Sequence, residues 1–167
     1  ATAFTSGAAA VLLGSRDWSA ADVRSALATT ADRLRGTSVA RAGAGLVQTE
    51  KALRPGLLHR LDPADYRAWW EGRLEELNTS SVVVRRGVHE VTRTVTNVGR
   101  RGFYFSSVAR GFAHHQVVVT PAALRLAPGE SGTYTVRVLG HSRRPDDGFV
   151  IWRGATGTVT TVPVIIR

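Results

Sequence analysis

Three places in this sequence carry residue types that could do chemistry: Ser38 in Gly36-Thr37-Ser38-Val39-Ala40, His59 with Asp62 and Asp65, and the pair His114-His115. Each must meet a geometric demand. A serine that attacks a carbonyl needs backbone N–H groups aimed at the developing oxyanion, as at the N-terminus of a buried helix of small residues. Ser38 is followed by Arg41 and a Gly-Ala alternation, which does not build such a helix. Adjacent histidines on a strand point to opposite faces, and no carboxylate or third histidine is spaced near His114 and His115 in the sequence. A polar loop or edge position is expected for them. Asp62 and Asp65 are explained as helix-start residues. The sequence contains no GxSxG, HExxH, GxxxxGK or GxGxxG motif. No catalytic, cofactor-binding or metal-binding residue is assigned within the chain.

Composition narrows the classes further. There is no cysteine, which excludes disulfides, thiolate metal sites and a cysteine nucleophile without identifying a compartment. A hydrophobic content of 43% against 21% charged residues is that of a folded chain. The net charge of +9 raises the question of an acidic partner. Lys51 is the only lysine, and the longest basic groups are the pairs Arg85-Arg86, Arg100-Arg101 and Arg143-Arg144, the last followed by Pro145, Asp146 and Asp147. No basic run is interleaved with aromatics, so the arginines read as a solvated surface, with no nucleic-acid partner expected. No membrane partner is expected either, because the apolar run from Gly7 to Gly14 is too short to cross a bilayer. The absence of methionine and of a basic-then-apolar leader reads most simply as a processed or truncated product.

The elements that must position these residues begin with two helices in Ala1 to Leu34. Gly7 to Gly14 is small and apolar on every side and is expected to be buried all round. Ser19 is placed as the N-cap of the second helix with Asp22 three residues on, and Trp18 and Val23 as a hydrophobic staple. Val23, Ala26, Leu27, Ala31 and Leu34 then share one face. Arg54-Pro55-Gly56 is a turn. Asp62 to Leu77 is expected to form a third helix, with Asp62 as cap, Pro63 at the first position and Asp65 in the first turn. Its row of Tyr66, Trp69, Trp70, Leu74 and Leu77 reads as a buried wedge between two domains rather than a stacking platform for bases or sugars.

From Asn78 the pattern changes to strands. Ser81 to Arg86, Glu90 to Asn97, Gly102 to Arg110, Gln116 to Thr120, Gly132 to Leu139, Gly148 to Arg153 and Thr158 to Ile166 are rich in Val, Thr, Tyr, Phe and Trp. Turn signals at Asn97-Val98-Gly99, Pro128-Gly129 and Asp146-Asp147-Gly148 separate them. Tyr134, Val136 and Val138 alternate with Thr133, Thr135 and Arg137, as a half-buried antiparallel strand requires. This many short strands in so short a stretch predicts a β-sandwich.

The opening stretch ATAFTSGAAAVLLGSRDWSAADVRSALATTA resembles the segment of subtilisin-like serine proteases (subtilases) that starts inside the nucleophile motif GTSMATPHVAGAAALL and continues through PxWSPAxVKSALMTTA. Ala42 to Arg60, AGAGLVQTEKALRPGLLHR, resembles that family's GAGxVNPxKALDPGLVYD, and Asp62 onward its DPxDYxxFL. VTRTVTNVG at Val91 to Gly99, with VTPAALRLAPGESGTYTVRV, resembles the family's C-terminal fibronectin type III-like domain. The resemblances run in the family's order over nearly the whole chain. Gly36-Thr37-Ser38 imitates the nucleophile signature and is a decoy.

The resemblance implies an α+β chain: the C-terminal helices of a subtilisin-like α/β catalytic domain, followed by an all-β fibronectin type III-like sandwich. The expected boundaries are 1–60 for the end of the peptidase domain, 61–77 for a linking helix and 78–167 for the sandwich. It further implies a nucleophilic serine two residues before Ala1, with the rest of the triad further upstream. The chain alone is then inactive, and its partners are the remainder of the peptidase domain and a protein or peptide substrate. Secretion is implied too. Family members often carry calcium, but no ligand set for it occurs here, and no cofactor is expected. Ala3, Phe4, Thr5 and Ser6 depart from the family's Pro-His and Val-Ala, which leaves open a relative without proteolytic activity. A free-standing basic sandwich that binds polymer surfaces is a further reading.

Overall fold

The computed structural model describes residues 2–85, 87–140 and 142–167. Ala1, at the head of the first expected helix, and Arg86, at the end of an expected strand, lie outside the described residues. The N-terminal third is helical: α1 (Thr2–Ser15), α2 (Ala20–Thr29), α3 (Val39–Ala42) and α4 (Thr49–Ala52). The short strand β1 (Leu57–Leu58) and helix α5 (Pro63–Trp70) follow. The rest is β2 (Val82–Val84), β3 (Glu90–Asn97), β4 (Phe103–Arg110), β5 (Gln116–Thr120), β6 (Ala123–Leu126), β7 (Ser131–Leu139), β8 (Asp146–Gly154) and β9 (Val159–Ile166).

The strands form a two-sheet sandwich. One sheet has the order β1-β3-β7-β5 and is antiparallel throughout. The other has the order β2-β9-β8-β4-β6, with β2 parallel to β9 and the other pairs antiparallel. Alternation decides what lies between the sheets. In β7, Tyr134, Val136 and Val138 point inward as their spacing requires, meeting Trp152, Val150, Val162 and Phe105 from the opposite sheet. Strand β9 is buried along most of its length, because one face meets that core and the other lies under α2 and α3. A strand covered on both sides loses its alternation.

Two strands, β1 and β6, are not among those expected from the sequence. Strand β6 pairs with the edge of β4 through Phe103↔Leu126 and Phe105↔Leu124, a four-residue alternation too short to register as a pattern. Strand β1 is shorter still, yet it links two cores. Leu57 belongs to the sandwich core, while Leu58 belongs to a second cluster with Ala8, Leu12, Val23, Ala26, Leu27 and Ala52. Successive strand residues face opposite ways, so two leucines can serve two cores.

The helices follow their local signals at the start and depart from them at the end. Ser19 Oγ accepts from the Asp22 N–H at 3.1 Å, and Asp22 Oδ2 accepts from the Ser19 N–H at 3.2 Å, a complete capping box. Trp18 packs against the cluster that holds Val23. Helix α2 ends at Thr29, so Leu34 is not on its face and is exposed. Helix α5 ends at Trp70 rather than Leu77, because residues 71–73 turn away with Gly72 at φ +72°.

Two burial expectations are corrected. Helix α1 buries Ala8 and Leu12, but Phe4 is 60% exposed, Val11 48% and Leu13 51%. Its inner face meets α2 and α4, and no described element covers the outer one. The aromatic wedge is not buried: α5 has no buried residue, and Trp70 is 83% exposed. The helix lies on the outside, tied down by Tyr66 Oη accepting from Arg24 Nη2 at 2.5 Å.

Candidate functional site at the junction of helices and sandwich

The polar groups that the fold buries most completely lie where α2, β1 and the sandwich meet. His59 follows Leu57-Leu58 and is drawn inside with them, to 1% exposure. Its backbone N–H donates to Ser25 Oγ of α2 at 2.9 Å, and its Nε2 lies 3.0 Å from Tyr134 Oη of β7. The Tyr134 ring in turn meets Trp152 of β8 edge-on, with centroids 5.2 Å apart. His59 thus joins the helical layer to one sheet, and Tyr134 carries the contact on to the other.

Burial removes water from an imidazolium, and the Arg93 guanidinium repels it, so His59 is pushed down to about 3. It is neutral at any ordinary pH. Burial likewise pushes the Tyr134 phenol above its usual value, against the opposing pull of Arg93. Arg93 is itself buried and held by Glu76 Oε2 at 2.7 Å and by the Ser81 carbonyl at 3.3 Å. Nearby, Leu57 N–H donates to Thr160 Oγ1 at 3.3 Å and Thr160 Oγ1 donates to the Pro55 carbonyl at 2.8 Å. Gly56 sits between them at φ +78°, where an added Cβ would come within 2.6 Å of Thr158 Oγ1.

None of the residues singled out by type assembles into a reacting group. Ser38 precedes the four-residue helix α3 and makes no side-chain cap bond. Asp62 Oδ1 accepts from the Ala64 and Asp65 N–H groups, and Asp65 Oδ2 accepts from the Asp62 N–H, so both carboxylates do the work of a helix start. His59 is turned away from them into the core. Among the described residues no three His, Asp or Glu side chains come together to hold a metal ion.

His114 and His115 gain a partner that sequence spacing did not show. Asp146, 31 residues beyond His115, accepts the N–H groups of Ala113, His114 and His115 at 2.7–3.1 Å, and His115 Nδ1 lies 3.2 Å from the same carboxylate. Burial alone would raise the Asp146 carboxyl; these N–H donors, with that of Asp147, outweigh it and hold the group below the usual carboxylate range. The clip fastens the loop before β5 to the start of β8. Asn97 does the same at the other end: it donates to the Arg101 and Leu126 carbonyls at 2.9 and 3.0 Å and accepts from the Gly99 N–H at 2.8 Å.

Two facing sheets of this order, with helices stacked on one side, define a sandwich domain of the fibronectin type III kind. The chain belongs to the fibronectin type-III domain family, which matches residues 76–166. Over its full length it is also homologous to subtilisin-like proteases, as its opening and closing motifs indicated. It is 29% identical to subtilisin-like protease SBT3.1 of Arabidopsis thaliana, with 100% of this chain and 28% of that protein aligned. It is 29% identical to SBT3.5 of the same plant, with 90% of this chain and 25% of that protein aligned. The chain therefore spans about a quarter of the length of these relatives. Among solved structures, the CupB2 chaperone of Pseudomonas aeruginosa aligns over 54% of each chain at 15% identity and a TM-score of 0.47. The E. coli chaperone DraB gives the same TM-score at 18% identity, over 54% of this chain and 52% of its own. Among the described residues, no helix is long and apolar enough to cross a membrane.

Proposed function

We propose that this chain is the C-terminal portion of a secreted subtilisin-like serine endopeptidase, with its Ser-His-Asp triad on residues before Ala1. The observation that carries the reading is the homology to subtilisin-like proteases along the whole chain, with each motif in the family's order. The geometry supports it. An apolar groove of about 390 Å³ runs between α1 and α2, lined by Ala9, Leu13, Val23 and Leu27 among others. Together with exposed Phe4 and Val11, it suits cover by the remainder of the peptidase domain.

In such an enzyme a serine attacks the peptide carbonyl, a histidine takes and returns its proton, and an aspartate orients the histidine. The residues here act by position. Ala8 and Leu12 seat α1 on α2 and α4, which fixes the direction from which the chain enters the helix. His59, Ser25, Tyr134 and Thr160 hold that layer to the sandwich. The helical segment is then the C-terminal end of the α/β catalytic domain, and a protein or peptide is the substrate.

The test is to read the residues before Ala1 and treat the parent protein with a fluorophosphonate that labels activated serines. A Gly-Thr-Ser whose serine lies two residues before Ala1 and takes the label supports the proposal. Its absence turns the chain into an inactive relative, the outcome that Ala3 to Ser6 would fit. Peptide hydrolysis by residues 1–167 alone, abolished by Ser38→Ala, overturns it.

A further inference from the structure

The arginines that are scattered in sequence converge at one end of the sandwich. Arg85 follows β2, Arg143 and Arg144 lie between β7 and β8, and Arg167 follows β9. All four line one hollow of about 480 Å³, whose floor includes Val84, Val138 and Ile166. The pairings Val84↔Ile166 and Asp146↔Ile166 account for the convergence, because they bring the end of β2, the end of β9 and the start of β8 to the same edge. Every lining residue comes from 84–167, so the hollow belongs to the sandwich and not to the helices.

The side-chain carboxylates around the hollow already have partners, whereas the guanidinium groups have none of opposite charge among the described residues. Asp146 is turned onto backbone N–H groups and His115, Asp147 accepts from the Val39 N–H at 3.0 Å, and Glu90 pairs with Arg137 at 2.9 Å. Arg85, Arg143, Arg144 and Arg167 have no ion pair among the described residues. The wall is also fixed in place: His115, one of the lining residues, is held by Asp146 on one ring nitrogen and lies 3.2 Å from the Ser142 carbonyl on the other. Guanidinium groups gathered without a direct ion pair repel one another, and a multivalent anion relieves that repulsion while taking the paired N–H donors of each planar guanidinium. The lining holds no aromatic ring apart from histidine, which leaves little for nucleobases to stack on.

We infer that this hollow is a binding site for a tetrahedral oxyanion, a phosphate or sulfate, either free or as an ester on a polymer. The inference does not depend on the proteolytic reading. The same chemistry serves both sources, and the experiment separates them.

Residues 1–167 are titrated with inorganic phosphate, inorganic sulfate, dextran sulfate, neutral dextran and a single-stranded DNA oligonucleotide. Calorimetry and thermal unfolding are followed at ionic strength held constant with sodium chloride. Saturable binding of the inorganic anions points to the free ion, and markedly tighter binding of dextran sulfate points to the ester; either supports the site. Arg143→Ala with Arg144→Ala is expected to weaken binding on the order of tenfold or more, since charge-assisted bonds are lost. Arg100→Ala with Arg101→Ala removes the same charge at the opposite end of β3 and is expected to leave binding unchanged. Arg85→Gln gives a single-site readout if the double variant does not fold. Equal weakening by both double variants overturns the site, because the effect is then net charge alone. Binding of the oligonucleotide without binding of phosphate, sulfate or dextran sulfate overturns it as well.

Discussion

Acidifying the protein should destabilise it through His59 well before its carboxylates protonate. In the fold the imidazole is pushed down to about 3, against 6.5 for the free group. The lowered value means that the native state favours the neutral ring. Its contribution is complete above pH 6.5 and is lost as pH falls from there through 3. Between those limits stability declines by up to about 1.4 kcal/mol per pH unit. From pH 7.5 to 5.0 the loss works out at about 2 kcal/mol, a measurable fraction of a total stability on the order of 5–15 kcal/mol. Asp146 does not interfere in this window, because its lowered carboxyl acts only below its ordinary value of 3.8. Urea unfolding at the two pH values measures the effect in the wild type and in His59→Gln, which retains a hydrogen-bonding group for Tyr134 and cannot titrate. The variant should lose about 2 kcal/mol less than the wild type over the same interval. Equal losses in both proteins would refute the reasoning, since they would place the proton uptake elsewhere.

Other expectations follow from the same contacts. Asn97→Ala removes donors to two carbonyls and the acceptor for Gly99, and should cost about 2–3 kcal/mol in urea unfolding. Asp146→Asn should cost about 1–3 kcal/mol by the same measurement. It should also remove the part of the wild type's acid sensitivity that sets in below the usual carboxylate value, because a lowered carboxyl stabilises only while ionised. Trp70→Ala, at a position 83% exposed, should change the stability of residues 1–167 by no more than about 0.5 kcal/mol; a large loss would show that α5 is a packed wedge after all.

Short-range chemistry was legible because each signal acts within a few residues of itself. Ser19 with Asp22 and Asp62 with Asp65 close capping boxes that need no other part of the chain. Tyr134, Val136 and Val138 face the core because a strand turns successive side chains to opposite sides. The homology to subtilisin-like proteases was readable for a related reason, since ordered motifs survive in the string itself. Signals that fade with length were misread: β6 is four residues long, and the helix expected to reach Leu77 stops at Trp70.

The sequence by itself determined the starts of α2 and α5, the strand-rich half and the inward face of β7, all of which depend on backbone geometry and near neighbours. Tertiary structure alone decided that His59 enters the core, that Asp146 reaches back to His115, and that Arg85, Arg143, Arg144 and Arg167 share a hollow. Those outcomes depend on which strand ends lie side by side. Strand order and register bring together residues separated by dozens of positions, and no local periodicity carries that information.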